Sequence, residues 1–248
     1  MKLLIDIGNT RIKWAFLVNK QLRDPRALLH KDLNLQELLG SSLLRNQQPG
    51  QVYIANVADR SIGDRIAAAI KKKWGLAPVF VEVKRRSRGV TNAYRDITQL
   101  GIDRWLAVVA AWNRYRAPVC IVNCGTAVTI DGVSKSGRHM GGLIVPGLNL
   151  MQGQLTGLAS GIKLEPNKPF ELKFGRTTTE CVNNGAGRAI VGLIDHVVAE
   201  MTKQHGKRLA CIITGGDGER INALLQDEFT FDPHLVLHGL SLLAEKNK

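Results

Sequence analysis

Aromatic side chains are scarce in this 248-residue chain, at 5% of all residues. That scarcity argues against single-stranded nucleic acid as a partner, because such sites stack bases on aromatics interleaved in a basic groove. Cysteine is sparse as well: Cys120, Cys124, Cys181 and Cys211 are the four, and no two stand as a CxxC pair. This excludes a disulfide framework and a cysteine-built zinc site, and thiols without a framework suit a reducing cytoplasm. Long apolar runs are missing. The stretch from Lys2 to Ile7 is interrupted by Asp6 and too short for a signal segment, and no later run reaches the roughly 20 residues that span a bilayer. A cytoplasmic protein without a membrane partner is therefore expected. Acidic residues are also few, 21 Asp and Glu against 34 Lys and Arg, leaving a formal net charge of +13. Such a charge attracts anionic partners at long range, among them nucleotides, phosphorylated metabolites and nucleic acid, and does not choose between them.

What the chain does contain is one turn design used twice. The first copy reads Leu3-Leu4-Ile5-Asp6-Ile7-Gly8-Asn9-Thr10 and continues through Ile12 to Phe16; the second reads Val119-Cys120-Ile121-Val122-Asn123-Cys124-Gly125-Thr126 and continues through Ala127 to Asp131. Each is an apolar run, a polar residue, a glycine two positions later and a second β-rich run. That pattern predicts a hairpin whose turn glycine brings backbone N–H groups close to an anion. Two copies predict two similar domains facing one nucleotide, and the copies differ at Asp6 against Asn123.

Strand-like stretches alternate with helical ones, the mark of an α/β fold. Strands are expected over Lys2 to Ile7, Ile12 to Val18 and Val52 to Asn56, with a short buried one over Val79 to Val83. Helices are expected over Ser61 to Trp74, Asp103 to Arg116 and Gly185 to Lys203. Gly141 to Leu155, with Pro146-Gly147, predicts a loop leading into a helix. Leu209 to Thr214 predicts a strand ending at Gly215-Gly216. Ala117-Pro118 ends a helix without a flexible linker, so domains of 1–117 and 118–248 are expected.

Three constellations carry chemistry. Asp6-Ile7-Gly8-Asn9-Thr10, with Arg11 and Lys13 behind it, can cradle phosphate oxygens while Asp6 holds Mg²⁺ directly or through water; an ordinary hairpin in which Asp6 bonds its own turn is the plain alternative. Thr214-Gly215-Gly216-Asp217 lets a base or ribose lie against the backbone. Gly101-Ile102-Asp103-Arg104 sets an acid beside a base at a helix start. There Asp103 could take a proton from a hydroxyl and Arg104 could steady phosphate charge, although an N-cap with a surface partner accounts for the same residues.

In order and spacing, Asp6-Ile7-Gly8-Asn9-Thr10, Gly101-Ile102-Asp103-Arg104, Gly125-Thr126-Ala127 with Thr129, and Gly141-Gly142-Leu143-Ile144-Val145-Pro146-Gly147 resemble the motif series of type III pantothenate kinases. This is the Bvg accessory factor family of the acetate and sugar kinase, Hsp70 and actin superfamily. The resemblance runs from residue 1 to about residue 218. It implies two ribonuclease H-like domains with a nucleotide cleft between them, ATP-dependent phosphorylation of pantothenate, Mg²⁺, a monovalent cation such as K⁺ or NH4⁺, and a homodimer that completes the site.

Carried over by position, Asp103 would be the general base, with Arg104 beside it. Asn9, Tyr94, Gly101, Ile102, Asp103 and Arg104 would hold pantothenate, joined by Thr178 from the neighbouring subunit. Asp6, Gly8, Asn9, Thr10, Lys13, Gly125, Thr126 and Thr129 would face ATP phosphates, Gly215 and Gly216 the adenosine, and Asp6 and Asn123 the metal. Two positions depart from the family pattern. Asn123 replaces the usual Asp, which keeps an amide oxygen and loses a charge, and Ile97 replaces a Pro. The rival expectation is a nucleotide-binding regulatory or nucleic-acid-associated protein of the same fold with weak or no kinase activity.

Overall fold

The computed structural model describes residues 1–29, 48–158, 164–165, 169–206 and 209–245. Within them the chain separates into two compact units, 1–114 together with 234–248, and 115–233.

The first unit is built on a five-stranded sheet ordered β3-β2-β1-β4-β5. Its strands are β1 (Lys2–Ile7), β2 (Arg11–Val18), β3 (Gln21–Leu29), β4 (Gln51–Asn56) and β5 (Val79–Phe80). β1 runs antiparallel to β2 and parallel to β4, and β4 runs parallel to β5. The period-2 alternation puts Leu3, Ile5 and Ile7 on one face with Val52 and Ile54. Ile66 and Ile70 of helix α1 (Arg60–Trp74) pack against that face. Local signals set the ends of α1: the Asp59 side chain accepts from the Ser61 N–H at 2.8 Å, and Gly75 closes the helix at φ 69°. Its Lys71, Lys72 and Lys73 are exposed in the last turn, where cations suit the helix dipole. The short pair β6 (Arg86–Ser87) and β7 (Val90–Thr91) follows.

Helix α2 (Ile102–Tyr115) is apolar on nearly every side and is buried over most of its length.

The second unit repeats the topology. Its sheet is ordered β10-β9-β8-β11-β12, made of β8 (Val119–Cys124), β9 (Ala127–Val133), β10 (His139–Pro146), β11 (Ala210–Thr214) and β12 (Thr230–Phe231). The antiparallel and parallel pairings match those of the first sheet strand for strand. Helices α3 (Leu148–Leu158), α4 (Thr178–His205) and α5 (Gly218–Asn222) complete the unit. Cys120, Val122 and Cys124 share one buried face with Ile190, Ile194 and Val198 of α4, so both thiols are core residues as expected.

Four features differ from the sequence reading. The segment Val79 to Val83 forms only the two-residue β5, exposed at a sheet edge. The glycine-rich segment expected as a loop is the edge strand β10; Gly141 at φ 101° takes up its bulge, and Pro146 stands at the strand end, where a missing N–H is tolerated. Helix α4 starts at Thr178, seven residues before Gly185. The boundary falls at 114/115, and residues 234–248, expected in the C-terminal domain, belong to the first unit. The last difference has a packing cause. Helix α6 (Leu235–Ala244) lays Gly239 so close on Leu106 of α2 that a Cβ there would strike the Leu106 carbonyl.

Candidate functional site

In the first unit, Asp6 sits near the end of β1, directly across from Lys13 on β2 and beside Ala55 on β4. It is a polar end to a run of core residues and only 8% exposed. Burial pushes its carboxyl up to about 7; the Lys13 ammonium pulls the other way, and the Asp103 carboxylate adds to the rise. Asp6 and Asp103 are thus electrostatic neighbours although 97 positions separate them in sequence.

Asp103 occupies the first turn of α2, where the helix dipole favours an anion. Its Oδ1 accepts from the Arg104 N–H at 2.8 Å and lies over Gly101, where an added Cβ would stand 2.6 Å from it. Arg104 is buried, donates to the Tyr94 hydroxyl at 2.8 Å and sits 5.6 Å from the Tyr94 ring centre. Ile102 is buried in the core. The structure therefore groups Asp6, Lys13, Tyr94, Gly101, Asp103 and Arg104 in one unit. Asn9 is exposed and Thr10 half-buried in the adjoining turn.

That turn spans residues 8–11, between the last pair Ile7 and Ile12, and the Gly8 N–H donates to the Arg11 carbonyl at 3.0 Å. Its counterpart spans residues 125–127, and the Gly125 N–H donates to the Ala127 carbonyl at 3.1 Å. Both glycine amides therefore close their own turns. The second turn is one residue shorter.

In the second unit, Asn123 stands at the position on β8 that Asp6 holds on β1, between Thr129 on β9 and Thr214 on β11. Both threonines are buried and Asn123 is half-buried. Backbone, more than side chains, builds what lies beyond. The Gly147 N–H donates to the Thr126 carbonyl at 3.0 Å, and a Cβ on Gly147 would collide with the Gly125 carbonyl. Gly215, at φ 100°, presses on the Cys124 backbone so closely that a Cβ would overlap it, and the Asp217 N–H donates to the Cys124 carbonyl at 3.1 Å. Three chain segments thus meet at one turn because Gly147 and Gly215 carry no side chain. Thr126 and Gly216 are exposed there. Gly147 has no assigned role in the sequence reading, yet it clasps the turn; the Pro-Gly step before a helix was its signal.

Thr178 is exposed at the start of α4. The helix start is fixed by its neighbours: Thr177 accepts from the Glu180 N–H at 3.2 Å, and Glu180 accepts from the Arg176 N–H at 2.8 Å. His139 is fully buried and pairs with Asp131 at 2.9 Å. Among the described residues no three His, Cys, Asp or Glu side chains cluster to hold a metal. Among the described residues no helix is long and apolar enough to cross a membrane.

Comparison with known proteins agrees with this geometry. The chain is 36% identical to a type III pantothenate kinase of Nitrosococcus oceani, over 99% of this chain and 94% of that protein. A Campylobacter jejuni structure described as a conserved putative Baf family transcriptional activator superposes with a TM-score of 0.62 at 21% identity, covering 98% of this chain and 97% of that one. A putative 2-dehydro-3-deoxygalactonokinase from Sinorhizobium meliloti superposes at 0.57 and 12% identity, over 98% of each chain. These likenesses show a shared fold, in which each unit is ribonuclease H-like and built on one five-stranded mixed sheet. The family model for type III pantothenate kinase matches residues 2–200, and with that match the chain belongs to the type III pantothenate kinase family.

Proposed function

We propose that this protein transfers the γ-phosphoryl group of ATP to the hydroxyl of pantothenate, giving 4′-phosphopantothenate at the start of coenzyme A synthesis. The observation that carries the reading is the meeting of Asp6, Asp103, Arg104 and Tyr94 in one unit of a chain with full-length relatives in this family. Phosphoryl transfer needs positioning and charge neutralisation more than covalent help. Asp103 accepts the hydroxyl proton. Arg104, oriented by Tyr94, faces the charge that develops on the transferred group. Asn9, Tyr94, Gly101 and Ile102 frame the acceptor.

Asp6, buried and raised by desolvation and by Asp103, fits Mg²⁺, which takes one or two carboxylates and completes its shell with water and phosphate oxygens. Bound there, the ion would neutralise phosphate charge. Asn123 offers an uncharged oxygen, which suits a weakly held monovalent cation. The turn residues Gly8, Thr10 and Lys13 in the first unit, and Gly125, Thr126, Thr129, Gly215 and Gly216 in the second, are assigned to ATP. The protein acts as a homodimer, with Thr178 reaching the partner's acceptor site. Leu143 and Ile144 on β10 and Leu150 and Leu155 on α3 are large apolar side chains left exposed in the second unit, which supports a partner there. The reading is tested by ADP release from ATP, Mg²⁺ and K⁺ across a panel of hydroxylated acids. Release should depend on pantothenate; equal release with unrelated acceptors, or none, rejects it.

A further inference from the structure

The basic run Lys84-Arg85-Arg86-Ser87-Arg88 invites an electrostatic reading, in which surface cations steer anionic ligands. The structure uses two of its arginines differently. The Arg88 guanidinium donates to the Glu245 carbonyl, and its own carbonyl accepts from Asn113 Nδ2 at 3.0 Å. Arg85 makes a fork over the loop that carries Tyr94. One guanidinium nitrogen donates to the carbonyls of Asn92 at 3.1 Å and Tyr94 at 2.5 Å, and another to that of Arg95 at 2.9 Å. The loop is locked from within as well. The Asn92 N–H donates to the Arg85 carbonyl at 2.9 Å, and Asn92 Oδ1 accepts from the Tyr94 N–H at 2.9 Å.

The geometry points to Arg85 as a positioning residue: by clamping the carbonyls of residues 92, 94 and 95 it fixes Tyr94, and through the Tyr94 hydroxyl it orients Arg104 toward the acceptor. Charge alone does not do this. Three carbonyls on one chain segment need a planar fork with several fixed donors, whereas a lysine ammonium is a single point of charge. Hydrogen bonds from a charged donor are stronger than neutral ones, so the clamp holds although Arg85 is exposed. The same exposure makes substitution clean, since it opens no cavity and buries no charge.

The inference rests on the proposed kinase reading for its acceptor, and the test separates the two. Arg85→Lys keeps the charge and removes the fork; Arg85→Ala removes both. In each, the KM for pantothenate should rise about tenfold, a loss of roughly 1.4 kcal/mol in acceptor binding, and kcat should fall as Arg104 loses its orientation, with the KM for ATP within about twofold. Amide exchange at residues 92–95 should quicken in both variants, measured without any substrate. Combined with Tyr94→Ala, Arg85→Lys should add nothing to the KM, because the two act as one unit. A wild-type KM in Arg85→Lys shows that charge alone matters and overturns the inference, as does additivity with Tyr94→Ala. If wild-type protein fails to turn over pantothenate, the kinase reading falls, and amide exchange decides the clamp: an unchanged rate at residues 92–95 in Arg85→Lys overturns it.

Discussion

At the residue scale the account turns on two positions that correspond in the repeated hairpin, Asp6 and Asn123. Asp6 holds a carboxyl that burial keeps near 7, well above its value in an unfolded chain. The folded state therefore binds the proton more tightly than the unfolded state. The stability this confers is full below about pH 4 and is lost as pH rises toward 7. Asp6→Asn escapes that loss. The ligand-free variant should melt several degrees above wild type at pH 8, with the gap closing toward pH 4, while turnover disappears; parallel melting curves across pH would contradict the assignment. Asn123 poses the reverse case. Asn123→Asp restores a charge at a half-buried site, and the K⁺ concentration for half-maximal activity should fall about tenfold, the effect of roughly 1.4 kcal/mol. No shift in the K⁺ titration would remove position 123 from cation handling. Asp6, Asp103 and Arg104 were legible as residues because their motifs are compact. Their grouping was only partly so, since the Asp6 to Asp103 approach depends on how α2 meets the end of β1. Arg85 was hidden inside a charge run, where composition gives no hint that a guanidinium is spent on carbonyls.

At the scale of elements, hairpins and helix starts follow from local sequence. Strands β1, β2, β4, β8, β9 and β11 and helices α1 and α2 were readable from alternation and helical spacing. Edge elements were not. β3, β5 and β10 are largely exposed on one or both faces, so no apolar period marks them, and the glycines of β10 look like loop residues until the bulge at Gly141 explains them. The meeting of Gly125, Gly147 and Gly215 depends on three distant segments. Gly215 tests it. An alanine there takes on a left-handed backbone and a collision with Cys124, costing about 2 kcal/mol or more. In a chain of this size Gly215→Ala should lower the Tm by about 4–8 °C and raise the KM for ATP more than that for pantothenate. A neutral effect on both would show that the turn does not need that close approach.

At the scale of the whole molecule, two sheets share one strand order and one pattern of pairing, as the repeated turn in the sequence implied. The return of α6 to the first unit was not visible in sequence, because Gly239 declares its contact only once α2 lies beneath it. The proposed homodimer belongs to this scale too. Light scattering at micromolar concentration should give twice the chain mass, and Ile144→Glu, which places a charge at the most exposed apolar side chain of β10, should give the monomer. A wild-type monomer would remove the partner's role for Thr178.

The central claim is that the carboxylate of Asp103, beside Asp6, serves phosphoryl transfer to pantothenate. Mass analysis of the reaction of wild-type protein and Asp103→Ala with ATP, Mg²⁺, K⁺ and pantothenate tests it most directly. The account predicts phosphorylated pantothenate from the wild type and at least about a hundredfold less from the folded variant. Equal product from both, or none from the wild type, would contradict it.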